Sequence, residues 1–252
     1  MNNTIAIFRK QLKDTLKNKT VLIQFAMFPV LTLIMNGSIK IEGMPENFFV
    51  NLFATMYVGM APLTSIASIM AEEKEKGTLR VLLMSNVKPY EYILGIGGYI
   101  WLMCLLGSCV ICAAGSYDTR SSLLFMGIMS VGIFASLLIG AAIGVWSKTQ
   151  MMATSITIPA MMILSFVPML SMFNSLIAKF GKIFYSDQIR IMLNQLHNVR
   201  TESVCIVVLN IVVALLHFVV AYKNNTFLGV LFYPFQLIII VLLVDFVNIY
   251  TP

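Results

Sequence analysis

Charged residues are scarce in this sequence. They make up 11% of its 252 residues, against about 25% in an ordinary soluble domain, while 59% of the residues are hydrophobic. So little charge could not cover the surface of a soluble fold, which excludes a soluble enzyme and a disordered chain. Because a membrane-spanning helix needs roughly 20 apolar residues, the chain has room for about six or seven such helices. No room is left for a separate catalytic domain.

Motifs for nucleotide binding and catalysis are missing as well. Gly181-Lys182 is followed by Ile183, so it does not form a G-x-x-x-x-G-K-[ST] loop, and the chain has no other candidate for a P-loop. It also lacks a Ser-His-Asp set, paired carboxylates and a histidine cluster. Ionisable residues are nearly absent from the apolar runs, which argues against a proton- or sodium-driven carrier and against a membrane-embedded hydrolase.

Cysteine is sparse, and all four residues stand inside apolar stretches: Cys104, Cys109, Cys112 and Cys205. Cys109 and Cys112 have the C-x-x-C spacing found in redox and metal sites. Because no second pair and no nearby histidine or acid accompanies them, the pattern favours packing residues over a metal or redox centre. We expect the chain itself to bind no metal and no cofactor.

Six apolar runs long enough to cross a membrane fill most of the sequence. They cover residues 21–39, 48–70, 92–114, 123–146, 151–173 and 203–222. The expected fold is therefore an all-α polytopic membrane protein whose six-span domain occupies 21–223. Pro159 and Pro168 interrupt the fifth run and would permit bending there.

The tail, residues 224–252, carries a further apolar run at 227–247. This run is long enough to span, but Pro234 and Asp245 interrupt it. Two interpretations stay open: a seventh span, which would place the C-terminus outside, or a re-entrant or interfacial helix.

An amphipathic helix is predicted over residues 1–20, before the first span. Apolar residues recur at spacings of three and four with basic residues along one flank: Ile5, Phe8, Leu12 and Leu16, then Arg9, Lys10, Lys13 and Lys17. Such a helix lies in the headgroup plane, with its basic side chains reaching anionic lipid. The alternative is a solvated charged helix.

The distribution of basic residues predicts the orientation. With the N-terminus inside, eleven of the 17 Lys and Arg residues are cytoplasmic and six are outside. The N-terminus and segment 71–91 are therefore expected on the cytoplasmic side. The net charge of +6 suits anionic membrane lipids better than nucleic acid, because the basic residues do not cluster on one soluble face.

Segment 71–91, between the second and third runs, is the most polar part of the chain. Glu72 and Lys76 form an i,i+4 pair that extends the second helix beyond the membrane. Gly77 suits a left-handed helix C-cap, and Thr78 suits the N-cap of a new short helix over 79–84. Pro89 fits the first turn of the next helix.

The short helix has an apolar face predicted at Leu79, Leu82 and Leu83. A capped helix with an exposed leucine ridge would fit a groove of another protein. The alternative is an ordinary charged loop between two spans.

Segment 71–91 resembles the signature of type 2 ABC exporter permeases. In that family an acidic-basic helix end, Gly-Thr-Leu, a Leu-Leu pair and a Pro-x-Glu step follow the second span; here these are run 72–83 (EEKEKGTLRVLL), Pro89 and Glu91, followed by Leu94-Gly95. The resemblance extends over about 1–223. It assigns to ATPase coupling Glu72, Glu73, Glu75, Gly77, Thr78, Leu79, Arg80, Leu82, Leu83, Pro89 and Glu91. Asn86, where the family often has proline, Ile96, where lysine is common, and the apolar tail depart from the family pattern.

This resemblance implies a permease subunit of a bacterial plasma-membrane exporter. The short helix would be a coupling helix that docks on a separate ATP-binding subunit, which would hold ATP and Mg²⁺, and the N-terminal helix would contact that subunit too. Two permease units, identical or different, would pair through their first and fifth spans. The outside segment 174–202 would form re-entrant or gate helices.

Residues inside the spans give weaker signals. Gly132, Ser136, Gly140 and Gly144 recur every four residues, which favours tight helix packing over a substrate groove. Residues that could line a path for an amphipathic or hydrophobic peptide, drug or lipid-like cargo are Asn36, Asn51, Thr55, Pro159 and Ser165. Tyr185, Ile189 and Leu193 predict a helix lying on the outer membrane surface. An ATP-independent channel or carrier and a non-transporting sensor or scaffold are the alternative functions.

Overall fold

The computed structural model describes residues 3–17, 19–39, 43, 45–196 and 198–224, and all regular structure in these residues is helical. The helices are α1 (Asn3–Lys17), α2 (Lys19–Ser38), α3 (Phe48–Glu75), α4 (Thr78–Met84), α5 (Pro89–Ala114), α6 (Thr119–Trp146), α7 (Gln150–Leu170), α8 (Ser175–Gly181), α9 (Tyr185–Asn194) and α10 (Thr201–Asn224). Six of them, α2, α3, α5, α6, α7 and α10, are long and apolar enough to cross a membrane. The predicted all-α, six-span fold is confirmed.

The helix boundaries follow local sequence signals. α3 continues past the predicted end of its span to Glu75, so the charged run EEKE is helical. α5 begins at Pro89, as expected. α7 runs through Pro159 and Pro168 as one helix, and the bending that these prolines would permit stays a prediction. The predicted tail run 227–247 lies outside the described residues.

The axis of the bundle is α3. In the apolar stretch of α3, 72% of the residues are buried. The helix packs against α2, α5, α6, α7 and α9. The corresponding share is 22% for α2 and 28% for α7, and each has exposed apolar side chains such as Ile34 and Ile163. We call the end of the bundle that carries α1 and α4 the α4 end, and the opposite end the α9 end.

Small residues on α6 allow it to approach α3 closely. A Cβ on Gly140 would lie 2.4 Å from the carbonyl oxygen of Leu63, and one on Gly132 would lie 2.8 Å from Val58 Cγ1. Between them, Ser136 Oγ donates a 2.5 Å hydrogen bond to the carbonyl of Val58. The interpretation of this row as a packing seam is confirmed.

The α9 helix is inserted into the bundle. Its apolar stripe, Tyr185, Ile189 and Leu193, is buried, and the helix packs against α3, α6, α7 and α10. Tyr185 Oη lies 2.6 Å from Ser136 Oγ in the middle of the seam. The expectation that this helix lies on the membrane surface is therefore wrong, because an amphipathic stripe buries equally well against protein.

Candidate functional site at the end of α3

The turn between α3 and α4 depends on one glycine. Gly77 has φ of +69°, a conformation that glycine adopts without steric cost, as its predicted capping role requires. The predicted N-cap role of Thr78 is wrong, because Gly77 occupies the cap position and Thr78 is the first helical residue. The Thr78 hydroxyl instead donates a 3.1 Å hydrogen bond to the carbonyl of Glu73. This bond ties the start of α4 to the last turn of α3.

The apolar residues of α4 divide between two faces. Leu79 and Leu82 are half-buried and pack against the core of the chain. Val81, Leu83 and Met84 are exposed, with 62% of Val81 and 79% of Met84 accessible. The predicted Leu79–Leu82–Leu83 ridge is therefore wrong as a single exposed surface. The outward face of α4 consists of Val81, Leu83, Met84 and the exposed Arg80.

The turn from α4 to α5 contains a residue with positive φ. Asn86 has φ of +65°. Proline, with φ fixed near −65°, could not adopt that conformation, whereas asparagine tolerates it well. Beyond the turn, Glu91 Oε2 accepts a 2.9 Å hydrogen bond from the backbone amide of Lys88 and so caps the first turn of α5.

The N-terminal helix α1 bridges the two helices that flank α4. Lys10 Nζ and Gln11 Nε2 both donate to Oε1 of Glu73 on α3, the latter at 2.8 Å. Asn3 Nδ2 donates at 3.0 Å to Oε2 of Glu91 on α5. Glu73 is only 7% exposed, and a buried carboxylate is stable only when paired and hydrogen-bonded.

The two apolar faces of α1 have different surroundings. Ile7 is buried against Gly95 of α5, where a Cβ would lie 2.8 Å from Ile7 Cγ2, and Phe8 makes an edge contact with Tyr99 at 5.6 Å between ring centroids. Exposed residues of the predicted interfacial set are Ile5, Leu12, Leu16, Arg9 and Lys13. Of that set, Phe8 and Lys10 therefore turn towards the bundle; the Lys17 side chain lies outside the described part of the structure.

Lys74 caps the C-terminal end of α6. Its Nζ donates to the carbonyls of Gly144, at 2.7 Å, of Val145, and of Ser147, at 3.1 Å. The carbonyls of Gly144 and Val145 are among the last of α6, which the helix itself leaves without partners, and Ser147 is its C-cap residue. A cation at this position also interacts favourably with the negative end of the helix dipole. The sequence predicted only that Lys74 is one of the basic residues of the cytoplasmic segment 71–91.

Glu75 caps the N-terminal end of α7. Its Oε2 accepts a 2.7 Å hydrogen bond from the backbone amide of Gln150, the first residue of α7. Thr149 Oγ1 accepts a further bond, of 3.2 Å, from the amide of Met152. An acidic group at this position complements the positive end of the helix dipole.

The Glu72–Lys76 pair forms as predicted, at the surface of α3. The hydrogen bond from Lys76 to the Glu72 carboxylate, together with the charge of that carboxylate, raises the pKa of Lys76.

The three residues between Glu72 and Lys76 bind three different elements: Glu73 binds α1, Lys74 binds the end of α6, and Glu75 binds the start of α7. We call these three residues the α3 hub. The sequence predicted roles for Glu73 and Glu75 but not their partners.

The candidate path residues are mostly engaged in packing. Asn51 accepts a 2.6 Å bond from Tyr117 Oη and donates one of 2.9 Å to Asn194, beside a cleft of about 390 Å³ at the α9 end. Other polar candidates bond to carbonyls, Asn36 to Ala114, Thr55 to Asn51 and Ser165 to Met56. Pro159 is exposed on α7. These residues are spread over three helices, α2, α3 and α7, rather than gathered at one site.

The cysteines are free thiols, with Cys104 and Cys112 buried and Cys109 and Cys205 exposed. Among the described residues, no group of three or more His, Cys, Asp or Glu side chains could hold a metal ion. The chemistry concentrated at the α4 end is therefore ion pairing and helix capping.

Six helices long and apolar enough to span a membrane, with a hub that ties α3 to α1, α6 and α7 next to a short exposed helix, define a polytopic membrane protein. Residues 2–223 match the family of ABC-2 family transporter proteins, and the chain belongs to that family. It is a permease subunit, the membrane component of a type 2 ABC transporter. The matched region ends where the predicted six-span domain ends. None of the curated proteins matches the chain.

Proposed function

We propose that this permease subunit exports an amphipathic or hydrophobic cargo, driven by a separate ATP-binding subunit that docks on α4. The observation that carries this proposal is the outward face of α4, where Val81, Leu83 and Met84 are exposed at the tip of the turn after α3. Exposed apolar side chains on a short helix suit the groove of a partner protein. The excess of basic residues supports a cytoplasmic location for this end, where ATP and Mg²⁺ would be bound by the partner.

The α3 hub supports a coupling role for α4. An ordinary loop would not need its base fixed to three other elements by Glu73, Lys74 and Glu75. Because these contacts involve charged groups, they hold the base of α4 in a defined position relative to α1, α6 and α7. Force applied to α4 would therefore act on several helices at once.

A second permease subunit and membrane lipid are the other proposed partners. The outward-facing surfaces of α2 and α7 are available to a second copy or a related chain. On α1, the exposed Ile5, Leu12 and Leu16 stand beside the exposed Arg9 and Lys13, as an interfacial helix on anionic lipid requires. The buried α9 would serve as part of a gate on the outer side, and the cargo class is a peptide, a drug or a lipid-like molecule.

Co-purification with the outward face of α4 altered tests the proposal. The full chain, solubilised from its own cells, should bring down a P-loop ATPase that mass spectrometry identifies. The double variant V81D/M84D should lose this ATPase, while V81I/M84L, which keeps the surface apolar, should retain it. Both variants should elute and melt as the parent does, because the two side chains are exposed. Retention of the ATPase by V81D/M84D, or no ATPase with the parent, would contradict the proposal and favour a stand-alone carrier or a sensor.

A further inference from the structure

We propose that Lys74 and Glu75 form a two-point clamp on the turn between α6 and α7, and that this clamp transmits movement of α4 to α7. They are positioning residues: they act through α7 rather than on cargo or nucleotide. The inference rests on the proposed function, since it requires an ATP-binding subunit to move α4, and it names the contacts that pass the movement on.

The clamp matches charge to helix polarity at both of its points. Lys74 binds the carbonyl end of α6 and Glu75 binds the amide end of α7, although the two residues are adjacent in sequence. Their order matters, because a carboxylate at position 74 would face carbonyl oxygens and an ammonium group at position 75 would face an N–H. The clamp thus depends on which residue carries which charge and not on the net charge of the segment.

The clamp lies next to the point where α4 would be moved. Gly77, the flexible residue of the turn, is two positions beyond Glu75. The bond from Thr78 Oγ1 to the carbonyl of Glu73 attaches α4 to the same turn of α3. A displacement of α4 therefore pulls directly on residues 73–76.

The helix α7 is suited to receive this movement. It is joined to α3 at its start by the Glu75–Gln150 bond and again near its middle, where a Cβ on Gly59 would lie 2.8 Å from the Leu164 carbonyl oxygen. Ser165 Oγ also donates a 3.2 Å bond to the carbonyl of Met56. Only 28% of the residues in the apolar stretch of α7 are buried, so few other contacts within the chain hold it. We therefore expect α7 to move together with α3.

Hydrogen–deuterium exchange on the permease alone tests whether the clamp forms. The variants are K74M and E75Q, each close in size to the original side chain. In E75Q, exchange at the start of α7 should be about tenfold faster, the change expected when one hydrogen bond to a charged group is weakened. In K74M, exchange in 144–149 should rise, while K74R should restore protection. Unchanged exchange in both K74M and E75Q would overturn the proposal.

Exchange on the full complex with its ATP-binding subunit tests transmission, with and without Mg²⁺ and a non-hydrolysable ATP analogue. In the parent, the nucleotide should alter exchange in both 71–84 and 147–155. In K74M/E75Q and in the charge swap K74E/E75K, the response of 71–84 should remain and that of 147–155 should be lost. A matched control, K76Q, removes only the exposed pair with Glu72 and should respond like the parent.

The two possible failures give different results. A nucleotide response in 147–155 that persists in K74M/E75Q would overturn the clamp as the transmitting contact while leaving the proposed function standing. No nucleotide response of 71–84 in the parent would overturn the proposed function, and the transmission inference with it.

Discussion

Gly140 of α6 faces Leu63 of α3 so closely that a Cβ on the glycine would lie 2.4 Å from the leucine carbonyl oxygen. A backbone oxygen cannot move aside as the end of a flexible side chain can. The G140A variant should therefore push the two helices apart and lower stability by about 1–3 kcal/mol, the usual cost of overpacking. Thermal unfolding in detergent would measure this change.

Gly127, on the same helix, is the matched control. A Cβ there would meet nothing within 4 Å. Because alanine is the better helix former, G127A should be neutral or stabilising by up to about 1 kcal/mol. Equal effects of G127A and G140A would contradict the account of the α3–α6 seam.

Replacing Glu73 should release α1. The E73A variant removes the acceptor shared by Lys10 and Gln11 and leaves their polar groups in a partly buried site. We expect a loss of about 1–3 kcal/mol, because buried polar groups left without partners carry most of that cost. Hydrogen exchange over 3–17 and limited proteolysis should both increase. E72A, which removes only the surface pair with Lys76, should change stability little and leave α1 protected.

The left-handed residue between α4 and α5 gives a prediction with two opposite substitutions. N86G should be tolerated, because glycine adopts φ of +65° without steric cost. N86P should destabilise the turn by about 1–3 kcal/mol, because the proline ring excludes positive φ. Circular dichroism melts would compare the two variants. Equal stability would show that the turn does not need a left-handed residue.

Tyr185 should anchor α9 to the bundle through its hydroxyl. Y185F leaves Ser136 without this partner in a fully buried site, so a loss of about 1–2 kcal/mol is expected. Exchange over 185–194 should rise. Y222F changes an exposed tyrosine on α10 and serves as the control, with no expected effect. A Y185F variant as protected as the parent would mean that the hydroxyl contact does not hold α9.

The parts of the fold that depend on local rules were predictable from the sequence. Apolar length located the spans, and four-residue spacing of small side chains located the face of α6 that packs closely against another helix. Gly77 and Pro89 marked the two turns around α4, because positive φ and a fixed φ near −65° are properties of single residues. These features need no knowledge of what packs against them.

Partners distant in sequence were not predictable. The hub residues bind groups 62 to 75 positions away, and no local pattern relates Lys74 to the end of α6 or Glu75 to the start of α7. The face of α4 that is buried was also not predictable, because five of the seven residues in TLRVLLM are apolar and their spacing does not select one side. The apolar stripe of α9 was compatible both with a helix on the membrane surface and with a helix buried against protein.

The central claim is that an ATP-binding subunit docks on α4 to drive export. Its most direct test is site-specific photo-crosslinking in intact cells. A crosslinking amino acid at position 81 or 84 should capture a P-loop ATPase, identified by mass spectrometry of the crosslinked band. The same probe at position 106, exposed on the apolar length of α5, should not capture it. Capture of lipid alone at 81 and 84, with the ATPase absent from both bands, would contradict the central claim.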